Sequence, residues 1–216
     1  MPRSLRILHI LYRVVRGGAE LGTVDTVIGL RRAGHDARLV VIGSPGQSRL
    51  EDVLSDNKVP VSYLNKGRGF SPRVYGQLRG LLREFRPHVF HTHLNLLRYA
   101  LPPALWARIP AIAHTFHTVA EEEARGFERW LRSRYLGSVV KVSVLTQAIG
   151  RTVEQLYGVS DWTQIFNCID TARFARDCGV RESTRAELGL AADDVLVVFV
   201  ARLAAMKNHS MLLRVV

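Results

Sequence analysis

The chain has 216 residues, of which 47% are hydrophobic and 23% charged, a composition that excludes fibrous and disordered proteins. Thirty lysines and arginines against nineteen acidic residues give a formal net charge of +11, which favours phosphates, nucleotides, nucleic acid or an anionic membrane as partners. The longest apolar run, residues 195–201, is far shorter than a membrane span. Two cysteines ten residues apart fit neither a disulfide framework nor a zinc site, so we expect a cytoplasmic protein.

Short apolar runs rich in β-branched residues alternate with segments of helical length, which is typical of β-α units that build a parallel sheet. Six strands are predicted, at residues 5–11, 37–42, 59–64, 88–93, 111–116 and 139–145. Helices are predicted near residues 18–33, 71–85, 96–107, 121–135 and 147–157. The expected fold class is α/β, a Rossmann-like parallel sheet with helices on both faces.

The pattern changes after residue 160, which predicts a division into domains. Residues 1–165 are expected to form the N-terminal Rossmann-like domain and residues 166–192 a hinge or linker. Residues 193–216 are expected to begin a second domain, with a strand at 195–200 and a helix from Ser210. Because the sequence stops inside that helix, we expect the second domain to be truncated.

The first predicted strand runs into Gly17-Gly18 at the start of a helix, where free N–H groups and the helix dipole suit an anion. The order G-G-x-x-x-G, completed by Gly22, differs from the dinucleotide fingerprint, and no acidic residue ends the second strand. A dinucleotide site is therefore disfavoured. The alternative is that the glycines only form a tight turn.

Four histidines stand at the ends of the fourth and fifth predicted strands: His91, His93, His114 and His117. Open α/β sheets bind ligands at this edge. Alternation places His91 and His93 on one face, but no carboxylate or cysteine accompanies them, so we expect no metal site. The alternative is that two or three of these histidines are structural, the role to which His9 and His35 are assigned.

Positive charge concentrates in residues 66–98 and 125–141. In the second stretch Arg125, Arg129 and Arg132 share one predicted helical face beside aromatic residues, which suits an anionic membrane surface. The alternative is an ordinary amphipathic helix that packs its aromatic residues on the sheet. No known nucleic-acid-binding motif accompanies the charge, so we expect no nucleic-acid partner.

Arg202 and Lys207 stand five residues apart in a predicted loop between a strand and a helix. Such a pair can clamp a diphosphate and neutralise the charge that grows on a departing nucleoside diphosphate. The alternative is two solvated charges in a turn.

Five groups of residues, taken in order, resemble the motifs of family 4 glycosyltransferases, which have the GT-B fold. They are R-I-L-H-I-L followed by Gly17-Gly18-Ala19-Glu20, R-P-H-V-F-H-T-H ending at His93, H-T-F-H-T around His117, F-N-C-I-D at 166–170 with Arg173-Phe174, and Ala201-Arg202-Leu203 with Lys207-Asn208. Cys168 and Ala201 stand where the family usually has glycine. The E-x7-E segment of the donor domain is absent from the chain.

The resemblance implies two Rossmann-like domains that face a cleft, with the donor held mainly by the C-terminal domain and the acceptor by the N-terminal one. It implies retaining transfer from a UDP- or GDP-linked sugar, with no metal and no other cofactor. By position, Gly17 and Gly18 would approach the phosphates or the sugar of the donor. His117 would lie near the anomeric centre, and residues 167–170 would begin the hinge.

By the same resemblance, Arg202 and Lys207 would hold the diphosphate leaving group, while His93 and Glu20 would belong to the acceptor side. The expected protein is an enzyme of polysaccharide, lipopolysaccharide or glycolipid biosynthesis that acts on a glycan or lipid-linked acceptor, cytoplasmic or peripheral on the inner face of the membrane. We expect the 216-residue chain to be its acceptor half, inactive by itself. The alternative is a non-catalytic anion- or membrane-binding module that has lost the donor domain.

Overall fold

The computed structural model of the chain describes residues 4–69, 71–169, 171 and 175–215. The chain divides into two compact units, residues 1–170 and 171–216. Three residues of the sequence motifs, Asp170, Arg173 and Phe174, lie outside the described residues.

The first unit contains a seven-stranded sheet in which every neighbouring pair is parallel. Its strands are β1 (Arg6–Leu11), β2 (Asp36–Val41), β3 (Val61–Tyr63), β4 (Val89–His93), β5 (Ala111–Phe116), β6 (Val140–Val144) and β7 (Trp162–Gln164). The strand order is β3-β2-β1-β4-β5-β6-β7. The order therefore reverses between β1 and β4, and the crevice beyond the carboxyl ends of these two strands is where open α/β sheets bind ligands.

The helices of the first unit are α1 (Gly18–Arg32), α2 (Arg49–Asp56), α3 (Arg73–Phe85), α4 (Leu97–Trp106), α5 (Ala120–Glu123), α6 (Gly126–Tyr135) and α7 (Gln147–Tyr157). Thr146 caps the start of α7, because its hydroxyl accepts a hydrogen bond from the N–H of Ile149 at 3.2 Å. Gly34 follows α1 with a φ of +89°, a left-handed conformation that glycine adopts without strain.

Two hydrophobic layers enclose the sheet. Along β1, Leu8 and Ile10 belong to the layer that contains buried residues of α3, α4, α6 and α7. Ile7 and Leu11 belong to the opposite layer, which contains buried residues of α1 and α2. Helices therefore cover both faces, and the predicted Rossmann-like α/β class is confirmed. His9 lies between Ile7 and Leu11 in sequence and so points to the face of α1.

Three local features of the first unit differ from the prediction. The helix α2 was not predicted, and neither was β7, which occupies part of the segment where the apolar pattern changes. The indole of Trp162 lies against Gly150 of α7 and donates to the carboxylate of Glu154 at 2.8 Å, so side-chain packing fixes this three-residue strand. The predicted helix at 121–135 is divided into α5 and α6, because Ala124 and Arg125 are both extended.

The second unit contains α8 (Cys178–Glu187) and α9 (His209–Val215). The helix predicted from Ser210 is present as α9, whereas the strand predicted at 195–200 is not formed. Val195 and Val200 are 88% and 91% exposed. A strand needs neighbours that satisfy its N–H and C=O groups, and the described part of the chain supplies none to this segment. Helix α8 lies within the predicted linker.

Among the helices of the described residues, none combines the length and the apolar character that a bilayer crossing requires.

Candidate active site

Histidines from three neighbouring strands meet near the carboxyl edge of the sheet, on the face of α1. Because β1 and β4 pair in parallel with His9 opposite His91, the rings of these two residues lie 4.8 Å apart, centroid to centroid. Nδ1 of His9 lies 3.1 Å from Nε2 of His93, and Nδ1 of His93 lies 3.1 Å from Nε2 of His117. The three imidazoles thus form a hydrogen-bonded chain that ends at His117.

These histidines are neutral at pH 7. Burial lowers the pKa of His117 to about 4. Burial, and then repulsion from His117, lowers the pKa of His91 to about 4 as well, and burial holds the pKa values of His9 and His93 well below 6.5. Nε2 of His117 is engaged with His93, so only Nδ1 remains for a ligand, a buried atom without a hydrogen-bond partner in the described chain; it donates or accepts according to the tautomer of the ring.

His114, the fourth histidine predicted at this edge, points to the opposite face of β5. Its Nδ1 lies 2.7 Å from the hydroxyl of Thr92, and its Nε2 lies 3.9 Å from a carboxylate oxygen of Glu123. His9 takes its place in the cluster. Alternation along β1 predicts this position for His9, because it lies two residues from Ile7 and from Leu11, whose side chains point to the same face. The strand β1 pairs with β4, which carries His91 and His93.

His9, His91 and His93 each offer a ring nitrogen within 4.8 Å of the others, which is the one group of potential metal ligands found among the described residues. Neutral imidazoles can ligate a metal ion. However, the facing nitrogens of His9 and His93 lie at hydrogen-bonding distance from each other, and neither a carboxylate nor a thiol in the described part of the chain completes the group. That the protein requires no metal stays a prediction.

The helix α1 begins in the crevice beyond β1. Its N-cap is Gly17, and within the described chain no side chain caps the helix. Gly17 is covered by the carboxylate of Glu20, with which a methyl group at Gly17 would collide. Gly18 faces open space, since a methyl group there would meet no described atom within 4 Å. The first N–H groups of α1 therefore have no side-chain cap, and the carboxylate of Glu20 lies over Gly17.

A small cavity of about 40 Å³ connects the next turn of α1 with the histidines. It is lined by Gly22, Thr23, His93, His117 and Asn167, among others. A methyl group at Gly22 would lie 2.7 Å from Oδ1 of Asn167, so glycine is what permits this close approach. Asn167, from the F-N-C-I-D motif, is thereby placed beside the cluster.

The predicted site residues thus fall into two groups. The first unit contains Gly17, Gly18 and Glu20 at the start of α1, together with His93 and His117 in the histidine cluster. The second unit contains Arg202 and Lys207, both exposed.

Arg132 was predicted to lie on a basic surface of α6 and is instead completely buried. Nitrogens of its guanidinium lie 3.5 Å from carboxylate oxygens of Glu123 and Glu128, which are buried as well. Burial raises the pKa of Glu123 to about 7 against the opposing effect of Arg132. The prediction was wrong because α6 packs towards the sheet with the face that carries Glu128, Leu131 and Arg132.

Glu128 joins this buried charge cluster to the edge of the sheet. Its carboxylate accepts hydrogen bonds from the backbone N–H groups of Leu97 and Arg98, at 3.1 and 3.0 Å, and so caps the start of α4. Arg132 donates to the carbonyl oxygen of Leu94 at 2.5 Å. The cluster therefore fixes the loop that follows β4.

That loop borders a cleft of about 570 Å³ on the same edge of the sheet, lined in part by Tyr12, Lys66, Arg98 and Tyr99. Its residues follow three different strands, and sequence reasoning did not assemble them. Only the concentration of basic residues in the stretch 66–98 pointed to it.

Residues 16–173 match the family model of Glycosyltransferase Family 4. The chain belongs to this family. Comparison with curated protein sequences gives no match. The matched residues extend from the start of α1 past β7 and include the histidines of β4 and β5 together with Asn167, so the family match covers most of the first unit.

Solved structures share the fold at low sequence identity. HepE from Anabaena, in complex with UDP-glucose, aligns at a TM-score of 0.79 and 18% identity over 97% of this chain. A glycosyltransferase from Rickettsia africae aligns at 0.78 and 15% identity over 97% of the chain, and sucrose-phosphate synthase from Thermosynechococcus elongatus at 0.72 and 15% over 98%. The sheet is therefore the N-terminal Rossmann-like half of a GT-B glycosyltransferase fold.

The alignments cover 56% of the chain of HepE, 56% of that of the Rickettsia enzyme and 59% of that of the sucrose-phosphate synthase. This family 4 chain thus spans little more than half the length of the solved structures that it matches.

Proposed function

We propose that the chain is the acceptor-side half of a retaining glycosyltransferase that moves a sugar from a UDP- or GDP-linked donor to a glycan or lipid-linked acceptor. The observation that carries the proposal is the neutral His117, which lines one cavity with Gly22 and Thr23 of α1 near the point where the strand order reverses. Family membership and the UDP-glucose in HepE support a nucleotide-sugar donor. The products would be polysaccharide, lipopolysaccharide or glycolipid.

In this proposal each group of residues has a distinct role. The N–H groups that follow Gly17 and Gly18 approach the phosphates or the sugar of the donor. His117 lies near the anomeric centre and offers a neutral hydrogen-bonding nitrogen there, since its pKa of about 4 leaves it uncharged. Arg202 and Lys207 hold the diphosphate as it departs, and their charge stabilises the leaving group without a metal.

The test uses the protein expressed from its complete reading frame. We expect His117→Ala to abolish transfer while donor binding is largely kept, because the imidazole contacts the reacting sugar and not the nucleotide. Turnover is measured by release of nucleoside diphosphate from a panel of nucleotide sugars, and donor affinity by calorimetric titration. Loss of donor affinity in this variant would contradict the role given to His117.

The reading frame itself separates the enzyme from the non-catalytic module. A downstream segment of domain size, about 150–200 residues, with an E-x7-E motif supports the enzyme. A stop codon directly after codon 216 supports the module.

The second candidate property is peripheral membrane binding, which the surface of α6 favours. Phe127 and Trp130 are 63% and 58% exposed, and their rings stack with centroids 5.6 Å apart. Arg125, Arg129 and Arg134 are exposed around them. Exposed aromatic rings flanked by cations suit the interface of an anionic bilayer.

Membrane binding is tested by sedimentation of the chain with liposomes. We expect binding to phosphatidylglycerol vesicles that decreases as salt rises from 50 to 500 mM, about the range over which surface charges become screened. Phe127→Ser with Trp130→Ser should abolish binding, whereas Trp106→Ser, which removes an exposed tryptophan of α4, should not. Equal binding to neutral phosphatidylcholine vesicles would contradict the proposal.

A further inference from the structure

The cleft of about 570 Å³ is lined by residues that follow three strands of the sheet, in loops and in the first turn of α4. Tyr12 follows β1, Lys66 follows β3, and Asn95, Arg98 and Tyr99 follow β4. Tyr75 of α3 closes one side. The wall of the cleft is therefore aromatic, and it carries two cations.

Lys66 is buried, which is unusual for a lysine, since only 9% of the residue is exposed. Its Nζ donates to the carbonyl oxygens of Gly67 and Gly69 at 3.0 and 2.5 Å. Nζ also lies 5.8 and 5.7 Å from the ring centroids of Tyr12 and Tyr99. No carboxylate of the described residues lies within ion-pair distance of it.

An ammonium group has three donors, and the two carbonyl oxygens occupy two of them. The third remains for a group in the cleft. A buried charge without a partner of opposite sign is costly in free energy, and an anion in the cleft would compensate this cost.

Arg98 supplies the second cation. Its Cζ lies 5.1 Å from the ring centroid of Tyr99, and its side chain is partly exposed to the cleft. Nε of Arg98 lies 4.0 Å from Glu128, too far for a hydrogen bond, and Glu128 already accepts two backbone hydrogen bonds and pairs with Arg132. The guanidinium therefore keeps donors for a planar, bidentate contact.

Tyr75 lines the same cleft, and burial raises the pKa of its hydroxyl. Two cations around one space match an anion with several oxygens and more than one negative charge, which a phosphate group provides.

We propose that this cleft binds a phosphate group of the acceptor substrate, with Lys66 and Arg98 contacting its oxygens. The proposal rests on the function proposed above, in which this unit binds the acceptor, and it narrows the acceptor to a phosphorylated one. The phosphate would belong to a sugar phosphate or to a lipid head group. Both sources present the same chemistry to the cleft.

The test is calorimetric titration of the 216-residue chain with inorganic phosphate. We expect Lys66→Met to weaken binding by about 10- to 100-fold, the scale for a lost hydrogen bond between charged groups. Lys141→Met is the matched control, because Lys141 is exposed on β6 and paired with Asp161 at 3.2 Å; it should bind as the unchanged chain does. Equal affinity of the Lys66→Met and Lys141→Met variants overturns the proposal.

Circular dichroism shows whether the Lys66→Met variant folds. If it does not, a second variant provides the test. Arg98→Gln leaves the buried lysine in place and should weaken phosphate binding by about tenfold. Unchanged affinity in this variant also overturns the proposal.

Competition experiments then identify the source of the phosphate. Glucose 1-phosphate that displaces inorganic phosphate indicates a sugar phosphate, and vesicles of phosphatidic acid in phosphatidylcholine that displace it indicate a lipid head group. Either result supports the proposal. Failure of both to compete, or stronger competition by UDP, overturns it. If the chain binds phosphate but the complete protein turns over no donor, the proposed function alone is refuted. If the complete protein turns over a donor but phosphate binding does not depend on Lys66, this inference alone is refuted.

Discussion

His9, His91, His93, His114 and His117 all have lowered pKa values because burial disfavours their charged form. Five imidazoles held neutral in one sheet make the stability of the fold sensitive to acid. In the unfolded chain they take up protons near pH 6.5, whereas in the folded chain His91 and His117 do so only near pH 4. The unfolded state therefore binds more protons between these two values.

We predict that the free energy of unfolding decreases as pH falls from 6.5 towards 4, by up to about 1.4 kcal/mol per pH unit for each such histidine. Glu123 acts in the opposite direction, because its pKa is raised to about 7 and stability from this group is lost as pH rises through that value. The histidines outnumber it. The measurement is urea unfolding at pH 7.5, 6 and 5.

The variant His91→Gln should show a smaller dependence on pH than the unchanged chain. The same slope in the variant and in the unchanged chain would refute this explanation of acid sensitivity.

Most helices and strands of the first unit were predictable, because parallel strands buried on two faces are continuous apolar runs. The prediction failed where a three-residue strand or a buried charge depends on partners distant in sequence. Trp162 in β7 is held by α7, and Arg132 in α6 is held by carboxylates that helical spacing does not reveal. In the candidate site, motifs located His93 and His117, whereas Lys66 joined its cleft only through the fold.

Helix α6 contributes Arg132 and Glu128 to a buried cluster of three charged residues, completed by Glu123. We predict that Arg132→Met lowers the free energy of unfolding by about 3–5 kcal/mol, because Glu123 and Glu128 would be left buried without their cation. Arg129→Met, on the exposed side of the same helix, should change it by less than about 0.5 kcal/mol. Urea unfolding at pH 7.5 measures both.

A further variant separates charge from packing in α6. If the loss comes from unpaired carboxylates, Glu123→Gln should restore part of the stability of Arg132→Met. Similar losses in the Arg132→Met and Arg129→Met chains would show that the buried cluster does not stabilise α6.

The two units of the molecule differ in how they are stabilised. Both hydrophobic clusters lie entirely within the first unit, and none of the described residues of the second unit is buried. Buried apolar surface provides most of the favourable free energy of folding. The first unit should therefore fold by itself.

We predict that a chain ending at residue 170 has the same urea midpoint as the first unit of the 216-residue chain. Its m-value, divided by the number of residues in that unit, should also be unchanged. A chain ending at residue 160 lacks β7 and the contacts of Trp162 with α7, and it should be less stable. Hydrogen exchange adds an independent measure, since amides of residues 195–200 should exchange as fast as those of an unstructured peptide. A lower midpoint for the 170-residue chain would contradict the prediction.

The imidazole chain from His9 to His117 has a consequence for the direction of its protons. Each neutral ring carries one N–H, so the two hydrogen bonds can both be kept only if all three rings adopt the same tautomer. In one arrangement every ring carries its proton on Nδ1, and Nδ1 of His117 is a donor. In the reverse arrangement every proton is on Nε2, so Nδ1 of His117 is an acceptor and the outermost proton lies on Nε2 of His9. Neither Nδ1 of His117 nor Nε2 of His9 has a hydrogen-bond partner in the described chain. The polarity that a sugar meets at His117 is therefore set together with the proton on β1, two strands away.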